Sequence, residues 1–308
     1  MRIIAEVGSN VKSLNDCLDS VKIAANCGAD AVKFQFFTDE EMFGMYLGNR
    51  PVIDESWLVP AKETADKYGI EFMCTFFSPE RLLRHAELIN TIKIASSDLG
   101  YEELLATAKG LNKPVIISSG GHSLADVDRS VHALKGADVT VLYCESSYPA
   151  YATDFRKISD LAKICKNIGL SDHSKEVFSI PLMAKGMGLK VIEKHVNFMG
   201  YGDTPDAPHS LSTDDFKRMV RAIKGEDEVT LRSLEEADMV VMHNRRLIVS
   251  KPINRGDAFL YGENFGAFRS IKKDVNGLSP YLHYKINGKR SARDLMPGDS
   301  IGPGEVYL

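Results

Sequence analysis

Two apolar, β-rich runs in the chain each end in a histidine: Ile168-Gly169-Leu170-Ser171-Asp172-His173 and Val191-Ile192-Glu193-Lys194-His195. A longer amphipathic stretch separates the two runs. Such an alternation is typical of parallel strands that are linked by a crossover helix. Because the carboxyl ends of neighbouring parallel strands meet at one edge of the sheet, we expect the two imidazoles to lie side by side.

The same alternation recurs throughout residues 1–225. We predict eight strands there: Ile3–Val7, Ala31–Phe36, Glu71–Thr75, Thr91–Ala95, Pro114–Ser118, Val139–Cys144, Asn167–Leu170 and Lys190–Lys194. Eight βα units within about 225 residues fit a (β/α)8 TIM barrel, whose usual length is about 250 residues. A doubly wound sheet fits less well, because Gly8-Ser9-Asn10-Val11-Lys12 lacks the glycine spacing of a dinucleotide fingerprint.

The segments between the strands carry helix signals. In the first segment, Leu14, Leu18, Val21 and Ala25 recur every three or four residues, which predicts one apolar helix face. In the fifth, Ser123 is an expected N-cap with an acidic residue three positions later.

The sequence changes character after Lys224. A charged stretch follows, and from Arg245 short apolar runs alternate with Gly, Pro and Asn. We therefore predict a barrel over residues 1–225, a linker over 226–244 and a small β-rich domain over 245–308. A domain of about sixty residues has a marginal core, so packing on a barrel would stabilise it.

Composition excludes several classes of protein. The chain has 308 residues, a formal net charge of −4 and no basic run, so we expect no nucleic-acid partner. No apolar run approaches the roughly eighteen residues that a membrane span needs, so we expect no membrane partner. The five cysteines are odd in number and form no CxxC pair, which favours a reduced, cytoplasmic protein.

Polar residues are concentrated where the predicted strands end, which in TIM barrels is where the chemistry takes place. They are Glu6, Ser9, Asn10, Lys33, Gln35, Thr75, Ser78, Lys93, Ser96, Ser97, Asp98, Ser118, Ser119, Glu145, Ser146, Ser147, Tyr148, Ser171, Asp172, His173, Glu193, Lys194 and His195. Two histidines can bind a divalent transition metal and leave most of its coordination sphere open. Alternatively, they are ordinary polar residues that cap the sheet.

Two lysines, Lys33 and Lys93, lie inside strands and must face the barrel lumen. A buried ammonium group is costly without an anionic partner. That partner is either a carboxylate or phosphate of a bound ligand, or a barrel glutamate such as Glu6 or Glu193. The surrounding hydroxyl groups favour a phosphate, because Ser and Thr donate hydrogen bonds without adding charge.

The chain closely resembles the sialic acid synthase family, whose members make N-acetylneuraminate, legionaminate or pseudaminate. The matching fragments, in order, are Ile4-Ala5-Glu6-Val7-Gly8-Ser9-Asn10, Gly28-Ala29-Asp30-Ala31-Val32-Lys33-Phe34-Gln35, Lys93-Ile94-Ala95-Ser96, Gly169-Leu170-Ser171-Asp172-His173 and Ile192-Glu193-Lys194-His195. The tail resembles that family's antifreeze-protein-like (SAF) domain, through Arg246-Leu247-Ile248-Val249, Ile253-Asn254-Arg255-Gly256-Asp257 and Asn264-Phe265-Gly266-Ala267-Phe268-Arg269.

The resemblance implies a transferase of class EC 2.5.1 that condenses phosphoenolpyruvate with an N-acylated amino-hexose and releases phosphate. By the same resemblance, His173 and His195 hold a divalent cation, with Mn²⁺ expected and Mg²⁺ or Co²⁺ compatible. The cation acts as a Lewis acid on the sugar aldehyde. Glu6 is then the candidate for handling the proton of the water or of the hydroxyl, although a structural salt bridge to a lumen lysine is its alternative role.

The resemblance also assigns the substrate contacts. Those to the phosphate and carboxylate of phosphoenolpyruvate are Lys33, Lys93, Ser96, Ser118 and Ser171. Gln35 and Tyr148 line the sugar side, and Asn10 and Ser146 are further contacts, although the family often carries Asn at the position of Ser146. Arg269 matches an arginine that reaches from one subunit's small domain into the other's barrel, which implies a domain-swapped homodimer.

The chain departs from the family in two places. Val11 follows Asn10 where the family commonly has His, and Pro205-Asp206-Ala207-Pro208-His209-Ser210-Leu211 replaces a Gly-Pro-Asp-His start. These changes leave the acceptor open between N-acetylmannosamine and the diacetamido-trideoxyhexoses that lead to legionaminic or pseudaminic acid. Two other functions also remain open: another metal-dependent barrel aldolase or lyase, and a non-catalytic sugar-binding relative.

Overall fold

Eight parallel strands close into a barrel in the order β1-β2-β3-β4-β5-β6-β7-β8, which confirms the predicted TIM-barrel fold. The computed structural model describes residues 1–39, 45, 53–150, 153–226, 245–269 and 277–307. The strands are β1 Arg2–Glu6, β2 Ala31–Phe36, β3 Glu71–Phe76, β4 Ile92–Ile94, β5 Val115–Ser118, β6 Val139–Tyr143, β7 Asn167–Asp172 and β8 Val191–His195. Pairing of β8 with β1 places Glu6 opposite His195 and closes the barrel.

A helix follows each strand. The helices are α1 Leu14–Asn26, α2 Leu58–Tyr68, α3 Pro79–Arg84, α4 Glu102–Gly110, α5 Leu124–Ala133, α6 Phe155–Leu161, α7 Ser179–Gly186 and α8 Thr213–Lys224. The predicted cap of α5 is confirmed as a full capping box between Ser123 and Asp126.

The buried face of α1 differs from the predicted one. Its buried residues are Cys17, Ser20, Val21 and Ala24. Three of the residues predicted to face the core, Leu14, Leu18 and Ala25, are only partly buried, although Leu18 and Ala25 pack against the core. A count of apolar residues overlooks a small polar residue such as Ser20, which is buried on this face.

An apolar layer closes the lower part of the barrel lumen. Its members are Ile4, Ala31, Met73, Ile116, Leu142 and Val191. Gly169 makes room for this layer, because a Cβ atom there would lie 2.5 Å from both Leu142 Cδ2 and the Val191 carbonyl oxygen. Since side chains alternate along a strand, the residues two positions further on also face the lumen. These are polar in β1, β2 and β8, where Glu6, Lys33 and Glu193 are buried.

The chain separates into two compact units, Met1–Val229 and Thr230–Leu308. In the second unit, β9 Arg245–Val249 pairs antiparallel with β10 Phe265–Arg269, and a short helix, α9, spans His283–Ile286. A separate apolar core holds the unit together: Leu247, Val249, Ile253, Phe259, Phe265, Ile286, Leu295 and Ile301. The predicted linker over 226–244 lies, from residue 227 onward, outside the described residues. The domain bounds and the SAF identity of the tail therefore stay predictions.

None of the helices in the described ranges is both long and apolar enough to span a bilayer.

Candidate active site

Four buried charged side chains form a network inside the barrel. Lys33 Nζ lies 2.5 Å from Glu6 Oε2 and 3.7 Å from Glu193 Oε2. Lys93 Nζ lies 3.8 Å from Glu193 Oε1. Each lysine therefore has a glutamate partner within the barrel, which is one of the two alternatives that the sequence left open. The two alternatives are compatible, because an ammonium group has three N–H donors and can contact a glutamate and a bound anion together.

The two glutamates of this network differ in protonation. Burial raises the pKa of Glu6 to about 7, and the charge of Glu193 adds to the rise while Lys33 opposes it. Burial acts on Glu193 in the same direction, but Lys33 and Lys93 outweigh it and lower the pKa of Glu193 to about 2. With Glu6 protonated, the four groups carry one net positive charge. That charge suits an anionic ligand.

Two of the predicted hydroxyl contacts belong to the same network. Ser118 Oγ accepts a hydrogen bond of 2.8 Å from Lys93 Nζ. Ser171 Oγ donates one of 3.0 Å to Glu193 Oε1. Burial lowers the pKa of Lys93, although Glu193 opposes the change. An anion bound here would stabilise the charged form of the poorly solvated Lys93 ammonium group.

A second group of hydroxyls meets at Gly120, in the loop after β5. A Cβ atom on Gly120 would lie 2.7 Å from Ser146 Oγ, 2.6 Å from Cys144 Sγ and 3.4 Å from Ser96 Cβ. The glycine thus lets the ends of β4, β5 and β6 approach closely. As a result, Ser96 and Ser146 lie together, as the phosphate assignment requires.

His173 has a fixed tautomer. Its Nδ1 donates a hydrogen bond of 2.6 Å to the Glu145 carbonyl oxygen, so its Nε2 keeps a lone pair. That Nε2 lies 3.3 Å from both Tyr148 Oη and Ser171 Oγ. Burial lowers the pKa of His173, which keeps the ring neutral. A backbone carbonyl behind one ring nitrogen is the usual way to orient a histidine ligand.

Three histidine rings and one tyrosine ring pack together beside the network. The ring centres of His173 and His195 are 5.7 Å apart, so the two imidazoles lie side by side as predicted. Tyr148 stacks on His173 with ring centres 4.2 Å apart. His209 contributes the third imidazole, 4.6 Å from His195 and 4.8 Å from Tyr148.

Asp206 and His209 are site residues that the sequence analysis missed. They lie in the loop after β8, in or next to a single 3-10 turn at Ala207–His209. Ligand atoms of His195, Asp206 and His209 all lie within 4.8 Å of one another. The sequence analysis treated this segment only as a departure from the family. Its position directly after the eighth strand was the signal that could have placed it at the mouth of the barrel.

A divalent metal fits this group of residues. His195 Nδ1 and His209 Nε2 are buried and form no hydrogen bond with any described residue. Burial lowers the pKa of His195 to about 3, so its ring is neutral at neutral pH and one of its nitrogens keeps a lone pair. Neutral imidazoles with buried, unused lone pairs are the donors that a divalent transition ion requires.

A buried ion pair lies next to the two predicted metal ligands, one residue before each of them in the chain. Lys194 Nζ lies 2.6 Å from Asp172 Oδ2 and donates a hydrogen bond of 2.6 Å to the Ser174 carbonyl oxygen. Asp172 precedes His173 and Lys194 precedes His195, so the pair joins β7 and β8 next to both histidines. This arrangement fixes the separation of the two strand ends.

One of the predicted substrate contacts, Asn10, forms hydrogen bonds within the protein. Asn10 is fully buried, and its amide donates to the Val196 carbonyl oxygen at 2.9 Å and to Ser210 Oγ at 2.8 Å. Its Oδ1 accepts from Thr204 Oγ1. Asn10 therefore holds the loop after β8 and is not free to contact a substrate. Arg269 ends β10, and its side chain lies outside the described part of the chain.

Comparisons with known proteins agree on one family. The family model described as NeuB matches residues 45–232. Pseudaminic acid synthase from Campylobacter jejuni serotype O:2 is 31% identical over 335 aligned positions, covering 98% of this chain and 96% of that protein. N,N'-diacetyllegionaminic acid synthase from the same serotype is 27% identical and covers 97% of this chain and 98% of that protein.

Solved structures are similar as well. N-acetylneuraminic acid synthetase from Leptospira borgpetersenii, in complex with citrate, superposes with a TM-score of 0.68 and 29% identity over 77% of this chain and 89% of that chain. Spore coat polysaccharide biosynthesis protein SpsE from Bacillus subtilis superposes with a TM-score of 0.65 and 25% identity over 100% of this chain and 95% of that chain.

Proposed function

The chain belongs to the NeuB family, and on that premise we propose that it is a nonulosonic acid synthase that condenses phosphoenolpyruvate with an N-acylated amino-hexose. One observation carries the proposal beyond family membership. Two buried ammonium groups share the lumen with a carboxyl of pKa about 7 and border a cluster of neutral histidines. This combination suits an anionic substrate, a proton transfer and a polarised carbonyl in one cavity.

In the proposed reaction, Lys33 and Lys93 bind the anionic groups of phosphoenolpyruvate. Ser96, Ser118 and Ser146 donate hydrogen bonds to its oxygens, and Ser171, whose hydroxyl donates to Glu193, is a further proposed contact. A divalent cation, held by His173 and His195 and expected to be Mn²⁺, would polarise the aldehyde of the open-chain sugar when bound. Gln35 donates to Glu6 Oε1 at 2.8 Å, which holds the carboxyl toward the lumen.

The bond changes balance with one water. C3 of phosphoenolpyruvate forms a bond to the aldehyde carbon, and the aldehyde oxygen takes a proton from solvent to become a hydroxyl. Water adds at C2, and Glu6 in its deprotonated form takes a proton from that water and returns it to solvent. The C2–O bond to phosphate then breaks and the proton of the new C2 hydroxyl leaves with the phosphate, which gives a 2-keto acid and inorganic phosphate. The residues therefore bind, orient and move one proton.

The proposal is tested by phosphate release from phosphoenolpyruvate with Mn²⁺. N-acetylmannosamine and the two diacetamido-trideoxyhexoses are offered separately, beside a reaction without sugar. Release that depends on one sugar, together with a product whose mass equals the sugar plus the pyruvate unit, is expected. Phosphate release without any sugar, or no release with all three, would contradict the proposal.

We expect Lys93→Met to weaken phosphoenolpyruvate binding in particular. A charge-assisted hydrogen bond contributes about 1.5–3 kcal/mol, so its loss should raise the KM for phosphoenolpyruvate about ten- to a hundredfold. Met has a similar length, and Glu193 keeps its bond from Ser171, so the fold should persist. Steady-state kinetics with each substrate varied in turn provide the measurement. An effect confined to the KM for the sugar would show that the anion binds elsewhere.

The proposed homodimer depends on Arg269. The resemblance to the sialic acid synthase family is the basis for proposing that this arginine, at the end of β10, reaches a partner's barrel. We expect Arg269→Ala to raise the KM for the sugar while leaving that for phosphoenolpyruvate unchanged. Mixing Arg269→Ala with a barrel-inactive variant should then restore activity, because one mixed site per dimer has both intact parts. Unchanged sugar kinetics in Arg269→Ala would contradict the swap.

We also propose a cytoplasmic location. All five cysteines are buried and free. Free thiols in this number persist in a reducing compartment.

A further inference from the structure

We propose that Asp206 and His209 also bind the catalytic metal, adding one carboxylate and one further imidazole to the pair formed by His173 and His195. The proposal deepens the proposed function and rests on it for the use of the ion, whereas binding itself can be measured without turnover. Neither residue belongs to the pair of ligands predicted from the sequence, His173 and His195. His209 in particular stands in a segment where this chain departs from its family.

The geometry of the three side chains supports a shared ion. One ligand atom from each lies within 4.8 Å of the others, a separation that an ion between them can bridge. His209 Nε2 and Asp206 Oδ1 are 3.5 Å apart, which is too long for a strong hydrogen bond between them. His195 Nδ1 and His209 Nε2 are both buried, and neither has a hydrogen-bond partner among the described residues. Two orphaned nitrogens beside a carboxylate are costly unless a ligand satisfies them.

The loop that carries Asp206 and His209 is held in place before any ion binds. Ser9 N donates to Asp206 Oδ2 at 2.7 Å, and Asp206 N donates back to Ser9 Oγ at 3.1 Å. Ser210 Oγ accepts from Asn10 and donates to the Asp206 carbonyl oxygen at 2.7 Å. These bonds tie the loop to the end of β1. They give Asn10 a structural role in holding this loop.

Gly8 allows the carboxylate to take this position. Its φ is +55°, in the left-handed region, and a Cβ atom there would lie 2.2 Å from Asp206 Oδ2. The same Cβ atom would lie 3.5 Å from His195 Nδ1. Any side chain at position 8 would therefore push the carboxylate away from the histidine. The absence of a side chain keeps Asp206 next to His195.

The ligand set determines which ions fit. Imidazole nitrogens suit first-row transition ions, whereas Mg²⁺ prefers oxygen ligands in a regular octahedron. Three histidines and one carboxylate leave about two positions of a six-coordinate ion open. We therefore expect Mn²⁺, Fe²⁺ or Co²⁺ to bind, and Mg²⁺ to compete poorly. The Nε2 lone pair of His173 stays available to the same ion, because its contacts with Tyr148 Oη and Ser171 Oγ are both 3.3 Å long.

The test measures binding of Mn²⁺ alone to the chelator-treated full-length chain. Free Mn²⁺ gives a sharp six-line EPR signal that is lost on binding, so a titration yields the dissociation constant. Two substitutions remove ligands: His209→Phe, which keeps a ring against Tyr148 and His195, and Asp206→Asn, which keeps the shape of the side chain. His173→Phe is measured in parallel. Asp203→Asn and His132→Ala are the controls, one an exposed carboxylate in the same loop and the other an exposed histidine on α5.

We expect His209→Phe and Asp206→Asn each to raise the dissociation constant for Mn²⁺ at least about tenfold, the lower range seen even for residues that only support a ligand. His173→Phe should also raise it, because His173 is proposed to hold the same ion, and the controls should not change it. The visible absorption of bound Co²⁺ should also differ between wild type and His209→Phe. Thermal unfolding of the metal-free variants verifies that they remain folded.

Wild-type affinity in His209→Phe together with loss of binding in His173→Phe would overturn this proposal. The metal site would then consist of His173 and His195, and the proposed reaction would be unaffected. By contrast, Mn²⁺ binding as proposed here without phosphate release in the condensation assay would contradict the proposed function and leave the metal site intact.

Discussion

Turnover of the His195→Phe variant is expected to fall at least about a thousandfold. Lewis-acid stabilisation of a developing charge is worth several kcal/mol, and each 1.4 kcal/mol or so is a factor of ten in rate. His195 is common to both descriptions of the metal site, the predicted pair with His173 and the group with Asp206 and His209. Its loss should therefore have a larger effect than the loss of any other histidine. Phosphate release with saturating substrates and added Mn²⁺ is the measurement.

The phenylalanine ring is chosen to preserve packing. His195 is buried, and its ring lies against those of His209, His173 and Tyr148. His132→Ala, at an exposed position on α5, should behave as wild type. A chelator should inactivate wild type and excess Mn²⁺ should restore it, whereas His195→Phe should respond to neither. Full activity of His195→Phe that still disappears with the chelator would assign the ion to other residues.

Much of the barrel could be predicted from the sequence because periodicity is a local property. All eight predicted strands are present with bounds that differ by at most two residues. The alternation of side chains also placed Lys33 and Lys93 in the lumen correctly. The resemblance to sialic acid synthases is confirmed by the NeuB match and by relatives that include pseudaminic and legionaminic acid synthases.

The loop after β8 could not be predicted in the same way. Its path is set by contacts between residues far apart in the chain, such as that between Asn10 and Ser210, which are 200 positions apart. No local pattern encodes such a contact. The roles of Asp206 and His209 were missed for this reason, and Asn10 was taken for a substrate contact. The partners of the two lysines were undecided for a similar reason, since alternation gives the face of a strand but not the distances across the lumen.

The second large effect is expected for Glu6→Gln, which should lower kcat about 10²- to 10⁴-fold, the usual contribution of a positioned general base. Glutamine has the same shape as glutamate. Its side-chain oxygen can still accept the hydrogen bond that Gln35 donates to Glu6 Oε1 at 2.8 Å in the wild type. Lys33 keeps Glu193 at 3.7 Å, so its ammonium group is not left without a partner. The fold should therefore persist while proton transfer is lost.

The pH dependence of the wild type provides an independent measurement of the same role. Burial raises the pKa of Glu6 to about 7, with Glu193 adding to the shift and Lys33 opposing it. Because only the deprotonated carboxyl can accept a proton, kcat/KM should fall about tenfold per pH unit below about pH 7. This acid limb should be absent from the residual activity of Glu6→Gln.

Whereas kcat/KM should rise with pH, the free energy of unfolding of the wild type should fall as the pH rises. The folded pKa of Glu6 lies above its ordinary value of 4.5, so the folded chain holds the proton more tightly than the unfolded chain. The resulting stabilisation is fully present below about pH 4.5 and is lost as the pH rises through about 7. Glu6→Gln cannot lose a proton, so relative to wild type it should gain stability between pH 5 and pH 8. Urea unfolding of wild type and Glu6→Gln at pH 5 and at pH 8 measures this difference in the free energy of unfolding.

Glu71→Gln is the matched control for both measurements. Glu71 begins β3 at the opposite end of the barrel, where it pairs with Arg2. The same substitution there should change neither kcat nor the acid limb, because residues at the amino ends of barrel strands contribute to stability and not to the chemistry. If Glu6→Gln retained the wild-type kcat and its acid limb, another group would move the proton. Glu6 would then serve only to neutralise Lys33, the structural role that its short contact with that lysine also fits.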